Sequence, residues 1–211
     1  MESCAPVGHL TESEMEPGYY ELQSKSGAKK ELTKVYVAVK DDSISIVPLD
    51  QAGNGGAPQA MVPGQVIRKP SFDVDVLVVV FKYRPSSYDF PRQLTADFNG
   101  NVFLGYRVDR FKVERTKSPA GEVRKMAHRA LSIGGFFGAG TTTINPWTTN
   151  YRTTDEYSGF VLTHGISLMA GFKSLTVGFG LGWDNLIDRD KDIWIYQNSV
   201  WYGLTLSLNL N

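Results

Sequence analysis

Two histidines stand close ahead of serines, His128 before Ser132 and His164 before Ser167. A base beside a hydroxyl is the minimum arrangement for nucleophilic catalysis, with histidine taking the serine proton. His164, however, falls on one strand face with Leu162, Ile166 and Leu168, which suits a strand-end residue better than a base. The chain has no Gly-rich phosphate loop, no metal-spaced cysteine pair and no nucleophile elbow. The expectation is therefore a non-enzyme with no catalytic residue, no metal and no cofactor. A second set, Asp73, Asp75, Asp97, Arg107 and Asp109, recurs at strand spacing. Enclosed charges seek partners, so this set is expected to form a polar network inside the fold. Its bland reading is structural filling; its sharper reading is the lining of a pore. A third group, Trp147 and Tyr151, lies in a long loop and is the expected contact surface.

Lys+Arg and Asp+Glu both number 22 in 211 residues, so the formal charge is zero. A nucleic-acid partner is not expected, because phosphate neutralisation needs a basic surface. No run of eighteen apolar residues exists, which excludes a transmembrane helix but not a spanning strand. The mean hydropathy of -0.21 suits either a soluble protein or a strand-built membrane protein. Cys4 is the one cysteine, so no internal disulfide can form. It reads as a neutral tail residue, a lipid-attachment site or a reactive thiol, in that order. Met1-Glu2-Ser3 opens neither a basic start nor an apolar run, so an exported protein would be represented here in mature or truncated form.

The elements that must position these residues are strands. Residues 1–30, with Pro6, Gly8, Pro17, Gly18 and Gly27, read as a flexible lead-in. Residues 31–50 hold two β-rich runs around Lys40-Asp41-Asp42, a hairpin. Residues 51–70 are rich in Gly and Pro and read as a linker. From residue 71 the pattern is all-β, with six runs: Phe72–Tyr83, Leu94–Val113, Ala130–Thr141, Tyr157–Phe172, Ser174–Asp184 and Ser199–Asn211. Asn99-Gly100 is a strong turn signal, yet alternation keeps phase through Asn101, so one strand is expected there.

Leu175, Val177, Phe179, Leu181 and Trp183 share one face, against Thr176, Gly178, Gly180, Gly182 and Asp184. The last run sets Val200, Tyr202, Leu204, Leu206, Leu208 and Leu210 against Trp201, Gly203, Thr205, Ser207 and Asn209. Alternation alone allows a soluble barrel with apolar residues inside or a membrane barrel with them outside. The polar face decides. A soluble surface is usually rich in Lys and Glu, whereas here it is Gly, Ser and Thr, which suit a crowded lumen. Loop lengths agree. Lys173-Ser174 is a tight turn, while 84–93, 142–156 and 185–198 are long and fall on one side; the 114–129 connection falls on the other. Tyr83, Tyr106, Tyr157, Trp183, Trp194, Tyr196 and Tyr202 fit an interfacial girdle.

The stretch Val200-Trp201-Tyr202-Gly203-Leu204-Thr205-Leu206-Ser207-Leu208-Asn209-Leu210-Asn211 resembles the closing strand of bacterial outer-membrane β-barrel proteins, which usually ends in an aromatic residue. Phe81-Lys82-Tyr83-Arg84-Pro85, with Tyr106 and Arg107, is similar to small barrels of Bacteroidota. The resemblance covers roughly residues 70–211. It implies an antiparallel up-and-down transmembrane β-barrel of about eight strands over 71–211; six runs are legible there, and the 34–47 hairpin either supplies two more or forms a small periplasmic element. It also implies a bacterial outer-membrane location, contact with lipid, and recognition of the final strand by the barrel-insertion machinery. The expected role is structural or surface-interacting, with an unidentified protein as a further partner. A soluble lipocalin-like ligand-binding barrel and a barrel-embedded hydrolase are the alternatives.

Overall fold

The computed structural model describes residues 15–26, 29–40, 43–50, 53–86, 90–118, 121–172 and 175–209. Cys4, the Asp41-Asp42 turn, Lys173-Ser174, Pro119 and the terminal Leu210-Asn211 lie outside the described residues. The chain is all-β and antiparallel. Its strands are β1 Gly18–Ser26, β2 Lys29–Lys40, β3 Ser43–Pro48, β4 Gln59–Ala60, β5 Val66–Arg84, β6 Gln93–Thr95, β7 Asn99–Ser118, β8 Gly121–Ile144, β9 Tyr157–Phe172, β10 Leu175–Leu186 and β11 Val200–Asn209. Among the described residues a 3-10 turn, Trp147–Thr149, interrupts the loop after β8. No helix among the described residues is long and apolar enough to cross a membrane.

Two compact units share these strands: one of residues 1–71 and 108–130, the other of 72–107 and 131–211. In the first, β1 pairs β2, β2 pairs β3, β3 pairs β4, and β1 also pairs the start of β5 through Glu21–Gln23 and Val66–Arg68. Alternation here hides the apolar face: Tyr20, Val35, Val37, Ile44, Ile46, Ile67, Phe111 and Val113 form a core. Phe111 is stacked on His128 at 4.5 Å and meets Tyr20 edge-on at 6.0 Å.

In the second unit, β5, β7, β8, β9, β10 and β11 pair in that order, and β11 pairs back to β5, making a ring of six strands. These are the six runs legible in the sequence. The expected count of about eight is corrected to six, because the 31–50 hairpin takes its partner in β1 and buries Val35, Val37, Ile44 and Ile46 in the first unit's core. Three stretches also differ from expectation. The lead-in carries β1, and the 51–70 linker carries β4 and the start of β5. The charged 114–129 segment is not a loop, because β7 runs to Ser118 and β8 starts at Gly121. Its charges read as loop, but Glu114 continues the exposed side of a strand begun by Arg110 and Lys112, opposite the buried Phe111 and Val113. Asn99-Gly100 makes no turn and opens β7, but the single strand expected over Leu94–Val113 is split, Leu94 belonging to the short β6 that pairs β5.

Candidate functional site

Inside the ring unit the faces are assigned by chemistry in an unusual sense. Val76, Val78, Phe81, Val102, Leu104, Ile133, Phe137, Leu162, Ile166, Leu168, Phe179, Leu204 and Leu206 are exposed. Asp73, Asp75, Lys82, Arg84, Asn99, Asn101, Ser132, Thr163, Ser167, Asp184, Thr205 and Ser207 are buried. Among the described residues of the six ring strands in this unit, no Lys, Arg, Asp or Glu is exposed.

The most heavily built part of this polar interior is a three-charge cluster. Asp184 of β10 is fully buried and accepts from Lys82 Nζ at 2.9 and 3.0 Å, Arg84 Nη2 at 2.6 Å and Thr163 Oγ1 at 2.7 Å. Charge-assisted bonds of this length are the strong ones. Lys82 and Arg84 reach it because of one irregularity. The β11–β5 register matches Leu204 with Phe81 but Thr205 with Val79, leaving Val80 as the extra residue of a β-bulge. Before it, Asp73, Asp75, Leu77 and Val79 are buried; after it, Lys82 and Arg84 are. An unbroken alternation would have turned both cations outward and Phe81 and Tyr83 inward. Beside the bulge, Asn99 of β7 replaces ladder bonds with its side chain, accepting from Val79 N at 2.8 Å and donating to Val79 O at 2.7 Å. Asn101 extends this by donating to Asn99 Oδ1 at 2.9 Å.

Aromatic rings cover the cations. Lys82 Nζ lies 4.9 Å from the Trp201 ring, and the Arg84 guanidinium lies 5.3 Å from Trp194 and 4.9 Å from Tyr196. Such contacts favour a desolvated cation over an aromatic face. Trp201 fits because residue 182 is glycine: a Cβ there would collide with the indole ring. Trp194 and Tyr196 belong to the loop after β10 and pack with Ile144, Val161, Leu186 and Ile195. That loop is tied to the one after β8 by Ile195 N donating to Thr148 O at 3.0 Å. Burial pushes the Tyr196 hydroxyl pKa up, against the opposing pull of Arg84. Both rings had been expected in an interfacial girdle; the structure buries them instead, whereas Tyr83, Tyr106 and Tyr202 are exposed.

The residues singled out from sequence divide as follows. Asp73 lies 3.8 Å from Arg107, and Asp75 accepts from Ser207 Oγ, all of them buried in the ring unit. Asp97 lines a cavity beside Arg84 rather than joining that pair. Asp109 belongs to the first unit, where its carboxylate bonds His128 Nε2 at 2.6 Å. His128 is thus engaged with a carboxylate in the first unit, and Ser132 falls in the second. His164 is exposed and stacks on Trp183 at 5.7 Å. Ser167 is buried on the opposite face and bonds the Phe179 carbonyl at 3.2 Å, so these two make no base–nucleophile pair. Trp147 and Tyr151 are exposed, with ring centroids 5.4 Å apart.

Lys82, Arg84 and Asp184 were missed from sequence. The signal existed: Asp73 and Asp75 occupy odd positions and Lys82 and Arg84 even ones on one strand. Burying both pairs requires a phase break in the Val-rich run between them. No protein-family model, curated protein or solved structure matches this chain.

Proposed function

We propose that the chain is a small bacterial outer-membrane β-barrel protein, its six-stranded ring closing as an up-and-down transmembrane barrel, with a structural or surface-interacting role and no catalysis. The observation that carries this is the change of chemistry along single strands. On β7 the odd positions from Asn99 to Val113 are buried, apart from the half-buried Gly105, and the even ones exposed or half-buried. Through Arg107 the exposed side is Val102, Leu104 and Tyr106; beyond it the exposed side is Arg110, Lys112 and Glu114. The buried side carries Phe103 among the polar Asn99, Asn101 and Arg107, and past Asp109 becomes the apolar Phe111 and Val113. One strand therefore meets two solvents: hydrocarbon, which needs apolar side chains outside, and water, which needs them inside. The outward-facing apolar stretch of β5, Phe72 to Tyr83, is long enough for the ~9–11 residues a tilted spanning strand needs.

A soluble lipocalin-like barrel would shield Leu175 and Phe179, which are 53% and 58% exposed. In water so continuous an apolar surface would aggregate. A ring of six, narrower than the eight-stranded barrels that side chains already fill, would not conduct ions. Lipid is the first partner, and the insertion machinery reads the final strand. The loop after β8 is the proposed surface contact. Its backbone is fixed by reciprocal bonds between Asn145 and Thr148, and Asn150 and Tyr151 hold positive φ angles of 51° and 60°. Strained, over-determined loops of this kind cluster at functional sites.

The test is fractionation of cells expressing the chain behind an export signal. Heat-modifiable protein in the outer membrane supports the proposal; soluble periplasmic protein whose gel mobility ignores heating refutes it. For the loop, Trp147→Ala with Tyr151→Ala should abolish surface binding to partner cells while leaving heat modifiability intact. Unchanged binding removes the loop from the account.

A further inference from the structure

Arg84 uses only half of its fork on Asp184. Nη2 makes the 2.6 Å bond, while Nη1 is buried without a hydrogen-bond partner among the described residues. A buried donor left unpaired is costly, and native proteins seldom tolerate it without a reason. Two more buried atoms are unpartnered close by in the fold: Asp97 Oδ2 and Thr95 Oγ1, with the Tyr196 hydroxyl as a third. All four residues line one cavity of about 260 Å³, together with Thr142 and Asn145. Convergent orphaned polar groups around a cavity mark a binding site rather than a packing flaw.

Charge selects the ligand. The unsatisfied groups are one cation, one carboxylate and two hydroxyls. Around them Lys82 and Arg84 are balanced by Asp184 and Asp97, two charges of each sign. A ligand with net charge would leave one sign in excess in a poorly solvated site, which is strongly disfavoured. A molecule that is neutral overall but carries both charges satisfies every orphan. We propose that this cavity binds a small zwitterion of amino-acid size, its carboxylate on Arg84 Nη1 and its ammonium on Asp97 Oδ2. Thr95 and Tyr196 hydroxyls complete the carboxylate's shell. The volume admits one such molecule. The site makes the chain a receptor for a solute as well as a structural component, and it depends on the ring unit alone, not on where that unit resides.

The purified full chain in detergent micelles is titrated calorimetrically with each common L-amino acid, and with acetate and methylammonium as the two halves of the ligand. At least one amino acid should bind saturably, and each half at least about tenfold more weakly. Asp97→Asn should lower that affinity about tenfold while the protein still folds, since Asp97 makes no hydrogen bond to Lys82, Arg84 or Asp184 and acts on Lys82 only through its charge. Arg84→Lys should lower it further, but is the weaker test because Arg84 also supports the fold. Water filling alone, with no amino acid bound, overturns the proposal. So does acetate binding as tightly as the zwitterion, which would make this a plain anion site, or an Asp97→Asn variant of unchanged affinity. The membrane proposal is read separately by fractionation, so either can fail without the other.

Discussion

At the residue scale, the Asp184 cluster obeys the asymmetry of buried charge. Removing the shared partner leaves both cations without their hydrogen-bonded carboxylate, whereas removing one cation leaves a hydrogen-bonded pair. Asp184→Asn should therefore destabilise by about 3–5 kcal/mol, and Lys82→Met by far less, on the order of 1 kcal/mol. Denaturant midpoints in micelles decide it, and equal losses would contradict the shared-carboxylate geometry. Gly182→Ala should cost about 1–3 kcal/mol by pressing on Trp201. A variant as stable as the parent would show that the indole has room to move.

Tyr20, in the first unit, gives a pH dependence of definite sign. Burial first, then the carboxylates of Glu16 and Asp109, raise its pKa from 10.0 to about 12. The folded state thus holds the phenol proton more tightly than the unfolded one. Its contribution is whole below pH 10 and is lost as pH rises from there towards 12, amounting to at most roughly 3 kcal/mol. Tyr20→Phe should flatten the alkaline limb of the stability profile. An unchanged limb would assign it to other groups.

At the element scale, the bulge at Val80 is the device that aims the site. Deleting Val80 restores strict alternation and sends either Lys82 and Arg84 or Asp73 and Asp75 to the apolar surface. No folded, heat-modifiable species should form. Folding at parental yield would mean the cluster does not depend on the bulge. Asn99→Ala should cost about 1–3 kcal/mol for each Val79 backbone group left unsatisfied. The bulge also explains what was legible. In β10 and β11, where period two is unbroken, both faces were read residue by residue, from Thr176 to Asp184 and from Trp201 to Ser207. In β5 the run Val78-Val79-Val80-Phe81 carries no polar marker, so the phase change was invisible and the central cluster with it. The charged stretch 114–129 misled for a related reason. One strand passes from an apolar to a charged exposed side, and a rule tuned to one solvent reads the second half as loop. Trp194 and Tyr196 misled because an aromatic at a strand end suits an interface and a buried lid equally well.

At the scale of the whole molecule, the ring unit and the first unit follow opposite rules of burial within shared strands. Phe179→Lys and Leu206→Lys place charge on the ring's exposed face. Each should disfavour insertion by about 2–4 kcal/mol near the bilayer midplane, while Lys112→Leu should not impair it. Folding into vesicles, followed by the heat-modifiable band, measures all three. Should Phe179→Lys insert as well as the parent, that face does not touch hydrocarbon.

The most direct measurement labels single cysteines, in a Cys4→Ser background, with nitroxides at positions 104, 179 and 206 and at positions 110 and 112, in protein reconstituted into vesicles. Relaxation by oxygen, which concentrates in hydrocarbon, should dominate at the first three, and relaxation by a water-soluble nickel complex at the other two. If positions 179 and 206 relax with the aqueous complex as readily as position 110, the ring lies in water and the account is wrong.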